Sequence, residues 1–388
     1  MRSFTALMAF SAIAVSAGIL SACAMNADED AESRFTPVAA GQAIKLEQKN
    51  APVAGSTYRM AYRSTDAHNP THLVAVSSEV MIPRGAPPAG GWPVLAWAHG
   101  TSGIGLTCAP SVMGIGGPQA SFYSRWLRRG YAIVATDYPG LGEPGAALYL
   151  HAKSEGMAVL DSVRAARRRF SSLSGHVVLL GHDQGAQAVL AASALAKSYA
   201  PSLQIKGTIA LGAPYFDSNS GHILNQPRGA RRFAPGVVYG LLLGASLGSA
   251  DPGFDASRAF KPRALPYYRK ATELCRGDFF GAVEHAGLTP DNTFQPDAEQ
   301  ALAPALNWAR YPSLALTSPV MLGIASNDSQ IPPAQQEKLK QDLCAAGTVV
   351  SVHHYRVEHS PLLNAAESEA QNFADRSLQG DAISSDCQ

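Results

Sequence analysis

The stretch HVVLLGHDQGAQAVLAASAL, residues 176–195, constrains this chain more than any other. Val177 to Leu180 reads as a short buried strand, and Gly181-His182-Asp183-Gln184-Gly185 turns it sharply into a helix begun by Ala186 to Ala188. In such a turn the central residue is held in a strained conformation. Glycines must flank it, because a Cβ there would strike the neighbouring strand or helix. This is a nucleophile elbow, G-x-S-x-G in its usual form, whose central side chain stands alone at the top of a sheet. Here Asp183 takes the place of Ser. Small-residue turns between strand and helix also occur without chemistry, so the reading depends on what the rest of the chain supplies.

Upstream, Ser56 to Ser64 and His72 to Pro83 alternate polar and apolar residues, as in an antiparallel pair with one wet face. Trp92 to Trp97 is a continuous apolar run, consistent with a strand covered on both faces. It delivers His99-Gly100-Thr101-Ser102-Gly103. A Gly-rich loop there can lend one backbone N–H to an oxyanion hole, the second coming from Gln184 directly after the nucleophile position. His99 would order that loop. Ser121 to Arg129 predicts a helix, Tyr131 to Thr136 a buried strand, and Asp137 to Gly142 a tight loop. Gly156 to Phe170 predicts an amphipathic helix with Arg164, Arg167, Arg168 and Arg169 outward, a solvated face that could also meet acidic lipid head groups.

After the elbow helix, Gly207 to Leu211 is a strand, and from Tyr215 to Ser318 the rhythm changes. Buried strands disappear, apolar helical patches such as Val237 to Leu247 appear, and Pro and Gly are scattered throughout. Such an insertion reads as a helical cap that excludes water and supplies most of a substrate pocket. The core then resumes with a strand at Pro319 to Ala325, the loop Ser326 to Pro333 carrying Asp328, a helix at Gln335 to Ala346, and a strand at Thr348 to Tyr355 followed by His359. Nucleophile position, acid and His follow one another in the order an α/β-hydrolase requires. The chain of 388 residues, 46% apolar, is ample for one core with a cap.

The ends add context. Met1-Arg2, the apolar run Phe4 to Leu20 and Leu20-Ser21-Ala22-Cys23 have the form of a bacterial lipoprotein signal peptide. Residues 1–22 would be removed, Cys23 lipidated, and residues 23–40 left as a tether holding the exported protein to a membrane of the cell envelope; an ordinary secretory signal, leaving the protein secreted, or a membrane anchor helix is the alternative. The core would run over 41–214 and 319–388, with the cap at 215–318. Cys108, Cys275, Cys344 and Cys387 remain, an even number that in an exported chain suggests two disulfides out of three possible pairings. Cys108 with Cys275 and Cys344 with Cys387 is the preferred pairing, and free buried thiols are the alternative. A net charge of +1 with no basic run gives no footing for nucleic acid. The other histidines show no ligand spacing, so no metal or other cofactor is expected, and the protein is expected to be a monomer.

Taken together, AWAHGTSG with Cys108-Ala109-Pro110-Ser111, ATDYPGLG, GHDQGA, NDSQIPP and the helix end Leu343-Cys344-Ala345-Ala346-Gly347 resemble the secretory lipase family of α/β-hydrolases, the fungal lipase A type and its bacterial relatives. The resemblance spans nearly the whole mature chain. It implies an α/β fold with a mostly parallel central sheet flanked by helices, a helical lid, an oxyanion loop at Gly100 to Ser102, an acid at Asp328, a base at His359 and the disulfide pairing preferred above. The family's nucleophile is Ser; Asp183 departs from it.

A carboxylate attacking an ester carbonyl would have to form a mixed anhydride while expelling a far more basic alkoxide, which is uphill. Attack on a saturated carbon is feasible. Asp183 could displace halide or open an epoxide, and His359, oriented by Asp328, would then activate water against the resulting ester, with Thr101 and Gln184 N–H groups holding the oxyanion. Epoxide opening needs acidic cap donors, for which Tyr239, Tyr267 and Tyr268 are available beside Tyr215; for halide release Trp97 and Asn327 are candidates. The alternatives are weak ester or triacylglycerol hydrolysis with Asp183 as a poor general base, and an inactive lipoprotein binding a small apolar or lipid-like ligand.

Overall fold

The computed structural model describes residues 39–217 and 233–387. The expected signal peptide, Cys23 and nearly all of the expected tether therefore lie outside the described residues.

The chain opens with an antiparallel meander of β1 (Gln42–Lys49), β2 (Gly55–Thr65) and β3 (Leu73–Pro83). β1 had no counterpart in the sequence reading. It is a mostly exposed edge strand with an irregularity between Ala43 and Lys45, so it lacks the alternation that reveals half-buried strands. Nor does β3 have the wet face its polar residues suggest. Ser77, Ser78 and Glu79 are buried, Ser77 Oγ donating to the Asp137 carboxylate and Ser78 Oγ to the Met60 carbonyl. Hydrogen bonding inside the fold removes the need for water there.

Alternation of strand and helix then builds a parallel sheet: β4 (Trp92–Ala98), α1 (Pro110–Met113), α2 (Gly117–Arg128), β5 (Ala132–Thr136), α3 (Ala152–Arg169), β6 (Leu173–His182), α4 (Gln184–Tyr199) and β7 (Gln204–Leu211). α3 starts earlier than its periodicity predicts, because His151 Nδ1 caps it by accepting from Ser154 N–H. Its arginines are structural as well as surface charges: Arg164 pairs with buried Asp161, and Arg168 donates to the Ala40 and Gly41 carbonyls ahead of β1.

Between β7 and β8 (Val320–Ala325) the described residues form a helical cap of α5 (Pro235–Ala250), α6 (Leu265–Lys270), α7 (Arg276–His285), α8 (Pro290–Thr293) and α9 (Ala298–Trp308). α5 is buried over nearly its whole length at the centre of a separate apolar cluster with Phe260, Phe279 and Leu302. A helix apolar all round must be enclosed. α10 (Pro333–Ala345), β9 (Val350–Tyr355), α11 (Leu362–Ala365) and α12 (Glu367–Gln379) complete the core.

Among the described residues nine strands lie in the order β1-β2-β3-β5-β4-β6-β7-β8-β9, parallel from β5 onward. β4 is central, with Val94, Ala96 and Ala98 facing the α3 and α4 layer and Leu95 and Trp97 facing α2 and α12. The chain leaves β4 for β5 on one side and returns to β6 on the other. Connections diverging in this way open a crevice at the carboxyl ends of the strands, and the loops after β4 and β6 meet there.

Two disulfides, Cys108–Cys275 and Cys344–Cys387, close loops separated by 167 and 43 residues. The first ties the segment after β4 to the start of α7, and the second ties the C-terminal tail to α10.

Candidate active site

Asp183 is the residue between β6 and α4, with φ 57° and ψ −125°. Its neighbours are glycine for a geometric reason: a Cβ on Gly181 would lie 2.0 Å from the Gly185 carbonyl oxygen, and one on Gly185 would lie 1.9 Å from that of Ala98. The strained backbone is held by packing, as strain at functional sites generally is.

The two carboxylate oxygens of Asp183 have different surroundings. Oδ2 accepts the Thr101 backbone N–H at 2.9 Å and the Thr101 hydroxyl at 2.8 Å. Oδ1 faces His359 Nε2 at 3.5 Å, an ion-pair distance too long for a well-formed hydrogen bond. Gly100 is glycine here because a Cβ would press on Asp183, 3.1 Å from its Cβ. Gln184 is held by its side chain, Nε2 donating to the buried Glu155 at 2.7 Å. Burial pushes the Glu155 carboxyl well above the usual carboxylate range.

His359 follows β9, and its Nδ1–H donates to Asp328 Oδ2 at 2.7 Å. Asp328 Oδ1 accepts the N–H groups of Gln330 and Ile331 at 2.9 and 2.8 Å, so the acid loop itself fixes this carboxylate. Held in that tautomer, the imidazole presents Nε2 to Asp183. Burial alone would lower the His359 pKa; the close Asp183 carboxylate and the hydrogen-bonded Asp328 carboxylate outweigh it and raise the value to about 9. Asp183 moves in the opposite sense: burial would raise it, and the His359 contact drives it well below the usual range. The resting site is therefore an imidazolium between two carboxylates. Neighbouring His182 stays neutral, lowered to about 4 by burial and by His359.

Tyr149, which sequence reasoning missed, belongs to the site. Its hydroxyl lies 2.8 Å from Thr101 Oγ1. Because the single hydroxyl proton of Thr101 goes to Asp183, Tyr149 must donate to Thr101, giving a chain from Tyr149 through Thr101 to Asp183. The local signal is structural: the adjacent Leu150 has φ 56°, a strained value for a residue with a side chain.

A cavity of about 340 Å³ opens over Asp183. Its apolar wall is Trp97, Pro118, Phe122 and Leu363, from β4, α2 and α11; His99, Thr101, His182 and His359 are among its polar lining. Among the described residues the cap contributes Arg276 alone, because its helices spend their apolar faces on the cap's own core. The cap tyrosines are likewise absent from the lining of this cavity. Tyr268 packs in the cap with its hydroxyl against Gly248, Tyr267 lies under Lys270, and neither lines the cavity. Tyr239 comes close enough for Asp183 to influence its titration, but its hydroxyl donates to Gln330 Oε1 at 2.6 Å. Tyr215 donates to Asp342, and Asn327 is exposed and outside the lining. Among the described residues no group of His, Cys, Asp and Glu could hold a metal ion.

A mostly parallel sheet in this strand order, an elbow between β6 and α4, and an acid and a histidine after β8 and β9 define an α/β-hydrolase. The family model "Secretory lipase" matches residues 117–376, and the chain belongs to that family. It is 29% identical over 209 residues to Lipase A of Moesziomyces aphidis, a match covering 50% of this chain and 44% of that relative's length. Among solved structures, Candida antarctica lipase A in its closed state superposes with a TM-score of 0.74 at 20% identity, over 89% of this chain and 84% of that one. The rice cell wall degrading esterase LipA from Xanthomonas oryzae superposes with a TM-score of 0.71 at 17% identity, over 89% and 100% of the respective chains.

Proposed function

We propose that this protein is an exported hydrolase, held to the cell envelope as a monomer through lipidated Cys23, that works by alkylating Asp183 at a saturated carbon of a small, largely apolar substrate. One observation carries the reading. Asp183 Oδ2 occupies the Thr101 N–H that an oxyanion would need, while Oδ1 is left facing His359 and the cavity. For a general base serving an ester this is a poor arrangement, since the oxyanion donor is already taken. For a carboxylate that becomes an ester itself it is the required one, because Oδ2 is then the carbonyl oxygen on which negative charge develops.

In the first step Oδ1 attacks carbon in line and the leaving group departs with the bonding pair. Esterified Asp183 is neutral, so His359 loses one of the two charges holding its proton and releases it to solvent. The neutral Nε2 then takes a proton from water as hydroxide adds to Cγ of Asp183, and Thr101 stabilises the tetrahedral oxyanion. Collapse breaks the Cγ–Oδ1 bond and expels the alkoxide, which takes the proton from His359, and the new Asp183 carboxyl then passes its proton to His359 to restore the resting pair. Alkylation thus switches on the base that hydrolyses it.

Halide-like leaving groups fit better than epoxides. Opening an epoxide requires a proton donor at the departing oxygen, and the Tyr239 hydroxyl is committed to Gln330. The Trp97 indole N–H, in contrast, is buried without a partner, and its ring lines the cavity. Carboxylic ester hydrolysis is the second reading, favoured by the lipase and esterase names of the relatives and by the Asp328–His359 pair.

The deciding experiment incubates a His359→Gln variant separately with haloalkanes, epoxides and short acyl esters and maps adducts by peptide mass. An alkyl adduct on Asp183 from the haloalkane is expected. Ester turnover that survives Asp183→Asn unchanged, with no adduct, would refute the proposal.

A further inference from the structure

Arg276 is the cap's contribution to the cavity, and it is firmly placed. Its backbone N–H donates to the Ser102 carbonyl of the oxyanion loop at 2.8 Å, and the preceding Cys275 is bonded to Cys108. Its guanidinium lies 4.8 Å over the Phe280 ring, and Nη2 donates to Gln330 Oε1 in the acid loop at 3.0 Å. A cation is therefore fixed between the two loops that carry the catalytic groups. Among the described residues no carboxylate pairs with it; it donates to the neutral Gln330 amide and also lies against the Tyr239 hydroxyl. A guanidinium carries five donors in a planar fork that matches a carboxylate with two parallel bonds, so most of its capacity is unused here.

We propose that Arg276 binds a carboxylate of the substrate, and that the substrate class is a small alkanoate carrying a displaceable group on a saturated carbon. The second half of this statement rests on the Asp183 alkylation reading; the first does not. At about 340 Å³ the cavity is at the small end of ligand sites, consistent with a short chain. Trp97, Phe122 and Leu363 would take the carbon chain and the Arg276 fork the carboxylate. A cation in the same cavity lining as Asp183 also offsets the repulsion an anionic substrate would meet from that carboxylate. The same repulsion makes binding of an alkanoate without Arg276 unfavourable.

The test separates binding from chemistry. Butanoate and its neutral isostere butanamide are titrated calorimetrically into the wild type, Arg276→Gln and Arg276→Lys. Wild type should bind butanoate at least about 10-fold more tightly, Arg276→Gln should lose that preference, and Arg276→Lys should keep part of it, each 10-fold being about 1.4 kcal/mol. Equal binding of the two ligands by wild type, or a preference that survives in Arg276→Gln, overturns the carboxylate site. In a second arm, His359→Gln is labelled with 2-bromobutanoate or 1-bromobutane. Faster adduct formation on Asp183 with the bromoacid is expected, and faster labelling by the bromoalkane overturns the substrate class. Labelling by neither, with the butanoate preference intact, refutes the alkylation reading and the alkanoate's displaceable group while the carboxylate site stands.

Discussion

The imidazolium between two carboxylates makes a measurable commitment. His359 has a pKa of about 9 in the folded protein against 6.5 for an unperturbed imidazole, and its side chain is 2% exposed, so solvent screens the pair little. The folded value is the higher one, so the proton stabilises the native state fully below about pH 6.5 and is lost as pH climbs through about 9. At about 1.36 kcal/mol for each pH unit of difference, the stability lost across that window is on the order of 3 kcal/mol. Asp183→Asn keeps the shape and an acceptor for Thr101 but removes one charge, leaving burial opposed by Asp328 alone. The expected result is an imidazole that titrates much lower, with most of the loss between pH 6.5 and 9 abolished. NMR titration of the histidine rings, with His359 assigned by its absence in His359→Gln, reads the first quantity, and urea unfolding at pH 6, 7.5 and 9 reads the second. A wild-type His359 titrating at or below about 6.5, or an unchanged titration in Asp183→Asn, would refute the reasoning behind the alkylation-triggered base.

Replacing Asp183 with Ser frees the Thr101 N–H and restores a seryl nucleophile beside His359, so hydrolysis of a short p-nitrophenyl ester should rise above wild type while alkyl adducts vanish; absorbance kinetics and peptide mass check both. Gly185→Ala drives a methyl onto the Ala98 carbonyl oxygen, and denaturant melts should show a loss at or beyond the upper end of the roughly 1–3 kcal/mol typical of overpacking. Cys387→Ala opens the 43-residue closure to Cys344, for which chain entropy sets a cost of up to about 4 kcal/mol in the same assay. Tyr149→Phe deletes the donor behind Thr101 without changing packing, and should slow hydrolysis of the alkyl-Asp183 intermediate about 10-fold or less in single-turnover mass measurements, an indirect hydrogen bond being worth roughly 0.5–1.5 kcal/mol.

Where a segment's role is written in its own period or turn chemistry, sequence and structure coincide. The central strand Trp92–Ala98, the elbow with its two obligatory glycines, α5 and the acid-then-histidine order all carry local signatures. β1 and α12 carry none. α12 has few apolar residues and buries Ala370, Phe373, Ala374 and Ser377 against the sheet, a face recognisable only once the sheet is there.

The sequence by itself determined that a carboxylate would stand at the tip of an elbow with an acid and a histidine downstream, because glycine pairs and strand-end residues act through neighbours close in the chain. Tertiary structure alone decided the carboxylate's two environments: Thr101 on Oδ2 from 82 residues away, His359 on Oδ1, Tyr149 behind Thr101 and Arg276 across the cavity. Those contacts join the ends of separate strands to a disulfide-tethered cap, and no local pattern encodes a distance between segments that only the closed sheet brings together.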